Sequence, residues 1–564
     1  MKSIRSGVLS VSLALCSVQL ALAQAPSIRT SEGVLSAASY AYSGLPNGGV
    51  AQGSMFAVFG DNLGPATLVE VSAFPLPTSA GLAGTTVQVT VNGTTVYAIM
   101  IYTLKTQVAA VLPSNTPVGD GTLTVTYNGQ PSNAVPIHVV SKAFGVFAAN
   151  QGGSGPGAIQ NFNSDGSLTA NALNHAAHPG QVVIIWGTGI GPVSGDETAS
   201  PLPGDMTNLN IHAYVGFKEA AIQYRGRSGC CVGDDQVVIT VPDGIEGCYI
   251  PVYLTVDNVI SNFVSISVSS SGDVCTDANG YAANEWAQLL QQPDVKLGAL
   301  VVGRIFNRNM ASTGFNPGGA PYRDDGIEAV YENWASSNYL YATGQPPVGA
   351  CVVTQIPGGA TPSFSFLDAG NMTVDGPVGH HAVPKASTGV YQLVFFPSSP
   401  GPAPNIITDG TLVTAGTYTL NVTAGTQVGA HTVTFNHPAS FTWTDFSSFS
   451  GVIDRSQPLT ISWTGATPGA LVNIYGQSAY AAGPLGDYGA AFQCTGDAGA
   501  GSFTIPAAVL SALPATYTDN QGTPRGHIVV EQYLFDDPEP VIPGIDLTAA
   551  SVLDDYNVFA TTYH

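Results

Sequence analysis

The chain has 564 residues, far more than one hydrophobic core organises, so several domains are expected. Its 15 Lys and Arg stand against 37 Asp and Glu, a net charge of −22; such a surface repels phosphate backbones and anionic lipid and argues against nucleic-acid and membrane partners. Only 9% of residues are charged, while 66 Gly and 39 Pro penalise long helices and favour short strands joined by turns, so the composition predicts an all-β fold.

Residues 1–23 read as a secretory signal peptide. Lys2 and Arg5 precede an apolar run, Val8 to Leu22, which closes in Ala21-Leu22-Ala23, and cleavage is expected near Ala23. The run is short for a membrane span, and no later stretch approaches the roughly 20 apolar residues that a span needs. Cys16 follows Leu15, where lipid attachment would require a small residue. The mature chain is therefore expected to be secreted or associated with a cell surface, with no membrane insertion.

Two segments that follow repeat one pattern, at 24–145 and 146–272. "GSMFAVFGDNLGP" at 53–65 returns as "GQVVIIWGTGIGP" at 180–192, in each case a short apolar strand running into a glycine-containing turn closed by Pro. "VQVTVNG" at 87–93 matches "LNIHAYVG" at 209–216, and "TQVAAVLP" at 106–113 matches "DQVVITVP" at 235–242. "LTVTYNGQPSNAVPIHV" at 123–139 matches "VYLTVDNVISNFVSISV" at 252–268. Apolar and polar positions alternate at period two, and Asn128-Gly129 is a strong hairpin signal, so two tandem sandwiches are predicted. A dinucleotide fingerprint is the rival reading of "GTGIGP". It fails because Pro192 replaces the last glycine and no helix follows to receive a pyrophosphate.

The two segments also carry a resemblance. "LSAASYAYSGLPNGGVAQGSMFAVFGDNLGP", "SNAVPIHV" and "AFGVFAANQGGSGPGAIQNFNSDGSLTANALNHAAHPGQVVIIWGTGIGPV" resemble a two-lobed module of secreted proteins from soil bacteria, over roughly residues 33–271. Each lobe is similar to IPT/TIG-type immunoglobulin-like domains. The resemblance implies tandem immunoglobulin-like β-sandwiches in an extracellular setting and brings no catalytic residues. "RSGCCVGDD" at 227–235 departs from it, a cysteine-bearing insertion where a plain turn is expected.

Residues 273–350 change texture and are expected to form a small α-containing insertion or linker domain. "ANEWAQLLQQ" at 283–292 puts Trp286, Leu289 and Leu290 on one helical face and ends at Pro293, and Ile327 to Trp334 is a weaker helix candidate. From 351 the strand pattern resumes, with one sandwich predicted at 351–449 ("SFSFLDAGNMTVDGP", "GTYTLNV", "HTVTFNHPASFTWTD") and another at 450–564 ("QPLTISWTG", "ALVNIYGQS", "GAGSFTIP", "HIVVEQYLF"). This part, through "FLDAG", "FTWTD" and "DRSQPLTISWTGATPGALVNIYG", resembles the C-terminal portion of the same secreted group.

Beyond Cys16 the chain has six cysteines, Cys230, Cys231, Cys248, Cys275, Cys351 and Cys494, and an even number in an exported chain suggests disulfides. One of the vicinal pair is expected to bridge Cys248, and Cys275 to bridge Cys351, leaving Cys494 and the other of the vicinal pair unassigned. No C-x-x-C or nearby His supports a zinc site. Adjacent His380-His381 would point to opposite faces of a strand, and the acidic runs Asp234-Asp235, Asp324-Asp325, Asp536-Asp537 and Asp554-Asp555 lack calcium-loop spacing and read as solvated turns. No metal and no cofactor is expected. Tyr322, Tyr331, Trp334, Tyr339 and Tyr341 lie in a polar stretch without strict periodicity; core packing is their first reading, and a platform for sugar rings the second.

No G-x-S-x-G, H-E-x-x-H or P-loop pattern occurs. The expectation is a non-catalytic surface or matrix protein that binds polysaccharide or cell-surface and matrix proteins through tandem sandwiches. The alternatives are a glycan-processing hydrolase using Asp324, Asp325 and Glu328, and a passive structural spacer.

Overall fold

The computed structural model describes residues 24–276, 289, 291–308, 322–323, 325–335, 345–356, 364–377, 379–394, 413–438, 441–484, 486–535 and 540–564. The expected signal peptide at 1–23 lies outside the described residues. So does most of the expected 283–292 helix, of which Leu289 is described as helical and buried while Gln291 and Gln292 form a turn. Strands dominate the rest, and the short helix Ala507–Ser511 and the turn Ala498–Ala500 join them. No helix among the described residues is long and apolar enough to cross a membrane.

The first two sandwiches follow the sequence repeat strand for strand. In the first, Met55–Asp61 pairs with Gln107–Val111; in the second, Val182–Thr188 pairs with Asp235–Thr240. The opposite sheets repeat the match, with Thr85–Val91 against Gly119–Tyr127 and Ile211–Val215 against Gly247–Val256. Val87, Val89 and Val91 alternate inward and are fully buried, as are Val237 and Ile239 in the second copy. Each such side chain contributes about 1.5–3 kcal/mol by leaving water.

The repeated glycines do architectural work. A Cβ on Gly60 would lie 2.0 Å from the Ser27 carbonyl oxygen, and one on Gly187 would lie 2.3 Å from that of Gly145. Only glycine admits the short first strands, Ser27–Ile28 and Gly145–Val146, to the ladder. The repeated Ser-Asn then fastens those strands. Asn133 accepts from Ile28 N at 2.8 Å and donates to its carbonyl at 3.0 Å, and Asn262 does the same to Val146, at 2.8 Å both ways. The preceding serines, Ser132 and Ser261, accept from Val125 N and Leu254 N.

The inserted loop at 227–235 docks the second sandwich on the first. Val232 packs with Leu76, Ile99 and Val111, while Thr188 Oγ1 accepts from Met55 N and donates to the Gly233 carbonyl. Ser114, from the first sandwich, gives its N–H and hydroxyl to Glu197 of the second. Arg227 and Asp235 close the loop as a buried pair 2.5 Å apart, and Asp235 also accepts from Ile190 N.

The C-terminal half differs from the expected insertion followed by two separate sandwiches. One sheet of eleven strands runs through it, in the order Cys351–Ile356, Gly486–Asp497, Leu471–Gly483, Gly526–Phe535, Leu547–Phe559, Asp294–Arg308, Gly326–Ala335, Val390–Val394 and Lys385–Ser387 along its main path. Residues expected in a linker domain at 273–350 thus supply interior strands. The ladder between Cys351–Ile356 and Gly486–Asp497 crosses the expected boundary at 449–450. Ile327–Trp334 is strand, because Ile327, Ala329 and Tyr331 are buried at period two while Glu328 is exposed. Asp294–Arg308 lies parallel to Leu547–Phe559, and Arg304 holds Asp554 with two hydrogen bonds of 2.5 and 2.8 Å in a buried setting.

Two smaller sheets cover this long one. The strands Thr442–Trp443, Leu459–Thr464 and Ser502–Ile505 close one end over a core holding Trp443, Trp463, Phe492 and Tyr556. The four strands Gly379–Val383, Met372–Gly376, Gly416–Val422 and His431–His437 close the other over Tyr331, Tyr391, Tyr418 and Phe435. Tyr253 and Phe263 of the second sandwich belong to the first of these cores, their rings stacked 4.6 Å apart.

The cysteines pair otherwise than expected: Cys248 bonds Cys275, Cys351 bonds Cys494, and Cys230 and Cys231 are free thiols. The chain leaving the second sandwich runs back along it, with Ala176 N on Asp273 O and Cys275 N on Leu173 O, which carries Cys275 to within 5.1 Å (Cα–Cα) of Cys248. Cys351 and Cys494 are direct cross-strand partners. The vicinal thiols sit instead in the docking loop. Asp234, Asp235, Asp325 and Asp554 are buried rather than solvated turns, and Asp324, Asp536 and Asp537 lie outside the described residues.

Candidate functional site: an aromatic cleft where three units meet

A cleft of about 840 Å³ opens where the first sandwich, the second and the long sheet meet. The segment from Arg29 to Tyr42, with Phe59 and Tyr102, forms one wall; Asn150, Gln151 and Gly152 form a second; Gln355, Pro484 and Tyr488 form the third. The Tyr42 ring meets Tyr488 edge-on at 4.9 Å, Tyr40 lies 6.1 Å from Phe59, and the Arg29 guanidinium covers Phe59 at 5.5 Å. Burial pushes the Tyr42 and Tyr102 phenols up to about 12, so both stay neutral hydrogen-bonding groups near neutrality. Gln107 donates to the Tyr102 hydroxyl at 2.7 Å.

Glu32 sets the geometry of one end. Its carboxylate accepts from Ser43 N, the Ser43 hydroxyl and, across the unit boundary, the Tyr480 hydroxyl at 2.5 Å. Glu32, Tyr40 and Gln151 have φ of 50°, 48° and 57°, in the left-handed region that non-glycine residues seldom occupy. Most other non-glycine residues there are Asn or Asp, which tolerate it, so three such residues around one cleft mark it as a place where local strain is retained. The walls offer ring faces with amide and carboxylate groups between them, a lining suited to a neutral, flat, hydroxylated ligand.

Of the aromatic cluster expected at 322–341, the side chains of Tyr331 and Trp334 alone are described. Tyr331 is fully buried, its hydroxyl 2.9 Å from His431 Nε2 and its ring edge-on to Tyr391, so it is a core residue. Trp334 is half-buried; it stacks on Phe364 at 5.0 Å beside Phe366, and both phenylalanines are exposed. The Tyr322 backbone pairs with Asn307, and Tyr339 and Tyr341 lie outside the described residues. Of the proposed hydrolase trio, Asp325 is fully buried and accepts from Ile305 N, Glu328 is exposed, and Asp324 lies outside the described residues. His380 is exposed and bonded to Asp375 at 2.6 Å.

A second concentration of polar chemistry crosses the long sheet. Asn473, Glu531 and Asp555 occupy facing positions on three neighbouring strands. Burial and the Asp555 charge push Glu531 up to about 8, and burial pushes Asp555 up to about 7. Gln345 caps the row by donating to Asn473 Oδ1 at 2.8 Å.

No family model matches the chain, and no curated protein matches it. Among solved structures it is similar to SGBP-B of a Bacteroides ovatus mixed-linkage glucan utilization locus, in complex with a heptasaccharide, at 10% identity over 82% of this chain and 88% of that one, with a TM-score of 0.12. SGBP-B from a complex xyloglucan utilization locus in Bacteroides uniformis gives 10% identity, 73% and 97% coverage and a TM-score of 0.18. Immunoglobulin domains 1–4 of Sidekick-1 give 10%, 95% and 98%, and 0.12. Values this low speak to no shared function.

The cleft was hidden from sequence reasoning because its walls come from positions near 30, 40, 100, 150, 355 and 488. Its one local signal is the Tyr-Ala-Tyr of Tyr40 to Tyr42, embedded in a Gly- and Ser-rich stretch too irregular to be a strand.

Proposed function

We propose that the chain is an exported, non-catalytic surface or matrix protein that holds polysaccharide in the aromatic cleft, on a scaffold whose first two sandwiches are IPT/TIG-type domains of the kind found in secreted proteins of soil bacteria. The observation that carries this reading is the cleft lining. Tyr40, Tyr42, Phe59, Tyr102 and Tyr488 offer ring faces or edges to sugar rings, while Gln107, Gln151 and Gln355 supply amides for their hydroxyls. Trp334 with Phe364 and Phe366 forms a smaller exposed aromatic surface, and a second weak contact on one chain raises the effective concentration at the first.

The test is retention of purified protein on a panel of insoluble polysaccharides, with soluble-sugar release assayed in the same tubes. Wild-type protein is expected to bind at least one polysaccharide without releasing sugar, and Tyr42→Ala/Tyr102→Ala, at two half-buried cleft positions, to weaken that binding at least tenfold in protein that still unfolds cooperatively. Full retention by the folded double variant would overturn the cleft as the site. Sugar release would replace binding with hydrolysis, and Glu531 and Asp555 would be the first groups to change.

A further inference from the structure

We propose that the docking loop at 227–235 is a binding site for one divalent, thiophilic cation of the Zn²⁺ type, with Cys230 Sγ, Cys231 Sγ and the Asp234 carboxylate as its protein ligands. The three ligand atoms lie within 4.8 Å of one another, close enough for a single ion to reach all three.

Both thiols are free and exposed in this structure. Of the other four cysteines after Cys16, each is already bonded, in Cys248–Cys275 and Cys351–Cys494. A bond between Cys230 and Cys231 themselves would close an eight-membered ring across adjacent Cα atoms, about 3.8 Å apart, shorter than the 4.0 Å of Cys351–Cys494 and the roughly 4.4–6.8 Å usual for disulfides, and the two are free thiols here. Two adjacent thiols are poor partners for each other and good partners for a shared ion.

Asp234 supplies the independent observation. Its side chain is only 9% exposed, and Oδ1 is buried with no hydrogen-bond partner, while Oδ2 takes a 3.6 Å contact from Cys230 Sγ. An unpartnered carboxylate oxygen away from water costs stability unless something positive meets it. The Arg227 guanidinium acts on Asp234 through charge but makes no hydrogen bond to it, with Nη1 committed to Asp235, Nη2 to the Gly191 carbonyl, and Nε buried without a partner. That Arg227–Asp235 pair clamps both ends of the loop, so the ligand set is held before any ion arrives.

The donor chemistry selects the ion. Thiolates discriminate against Ca²⁺ and Mg²⁺, which take oxygen ligands, and a carboxylate in place of a third sulfur disfavours Cu(I) relative to Zn²⁺. Binding replaces the two S–H protons with metal–sulfur bonds and releases those protons to solvent. Cys230 and Cys231 are exposed, which leaves the fourth tetrahedral position open to water. An ion here would also tie the loop that joins the first two sandwiches, through Val232 beside it.

The experiment uses tag-free protein with Cys248–Cys275 and Cys351–Cys494 oxidised and Cys230 and Cys231 as thiols, confirmed by thiol titration, with Zn²⁺ retained after gel filtration measured per chain and Co²⁺ substitution read by its thiolate charge-transfer absorption. One Zn²⁺ per chain and a thiolate–Co²⁺ band are expected, with retention lost in Cys230→Ser/Cys231→Ser and affinity weakened at least tenfold in Asp234→Asn. The two serines replace exposed side chains, so the double variant should melt like metal-free wild type. Retention of less than a tenth of an equivalent by wild type with both thiols free and both disulfides intact, or equal retention by the folded double serine variant, would overturn the site.

Discussion

The N-terminal and C-terminal halves solve the same packing problem in opposite ways. Between residues 24 and 272 the long ladders of each sandwich join strands of one copy, and Tyr253, Ile260 and Phe263 of the second reach into the core under the long sheet. Beyond 290 one sheet serves two cores at once, and its centre pairs Asp294–Arg308 with Leu547–Phe559, about 250 positions away in sequence. A closed module survives the loss of its neighbour; a shared sheet does not. The largest expected effect follows from this. Deleting residues 540–564 removes the strand between Gly526–Phe535 and Asp294–Arg308 and leaves Arg304 buried without Asp554, a loss in the range of 3–5 kcal/mol for the ion pair alone. Limited proteolysis should then cut throughout 290–535 while 24–276 remains protected. Protection of 364–437 in that truncation would show that the third sandwich closes independently.

The same contrast explains what could be read from sequence. The two N-terminal sandwiches were legible because their strands are neighbours in the chain and the whole pattern occurs twice, down to the Ser-Asn pair and the turn glycines. Asp294–Arg308 and Leu547–Phe559 carry a strand pattern too, yet nothing local says that they are partners. Cys351 and Cys494 face each other only because that sheet exists. Asp235 and Asp554 read as solvated turns because the arginines that meet them, Arg227 and Arg304, are positioned by tertiary structure. Tyr331 read first as core packing and only second as a ligand contact, and its fully buried ring is fixed by His431 and Tyr391 across the sandwich. The cleft is the extreme case, since it is assembled by three units.

The shared sheet also carries an acid pair that should make its stability fall with rising pH. Glu531 is held at about 8 and Asp555 at about 7, above the roughly 4.3 and 3.9 of unfolded carboxyls, so the folded state binds more protons than the unfolded one between those limits. The contribution is fully present below about pH 4 and is lost as pH rises through about 8, by an amount on the order of a few kcal/mol. Glu531→Gln/Asp555→Asn should flatten this dependence in the C-terminal unfolding transition, measured by calorimetry between pH 5 and pH 9. An undiminished slope in the double variant would place the titrating groups elsewhere.

The smallest expected effect compares the two N-terminal sandwiches with each other. Asn133 and Asn262 hold the first strand of each copy through both its N–H and its carbonyl, but Asn262 also donates to the Gly153 carbonyl at 2.8 Å. Replacing either by Ala leaves a backbone N–H and carbonyl to find other partners, at about 1–3 kcal/mol. Asn262→Ala should cost more than Asn133→Ala, because it strands one acceptor more and because the freed segment near Gly153 borders the cleft wall at Asn150 to Gly152. Urea unfolding of the two variants ranks them, and polysaccharide retention adds a second readout: Asn262→Ala should weaken it and Asn133→Ala should not. Equal losses of stability with equal retention would mean that the clamp is purely local in both copies and that the second sandwich has no special part in shaping the cleft.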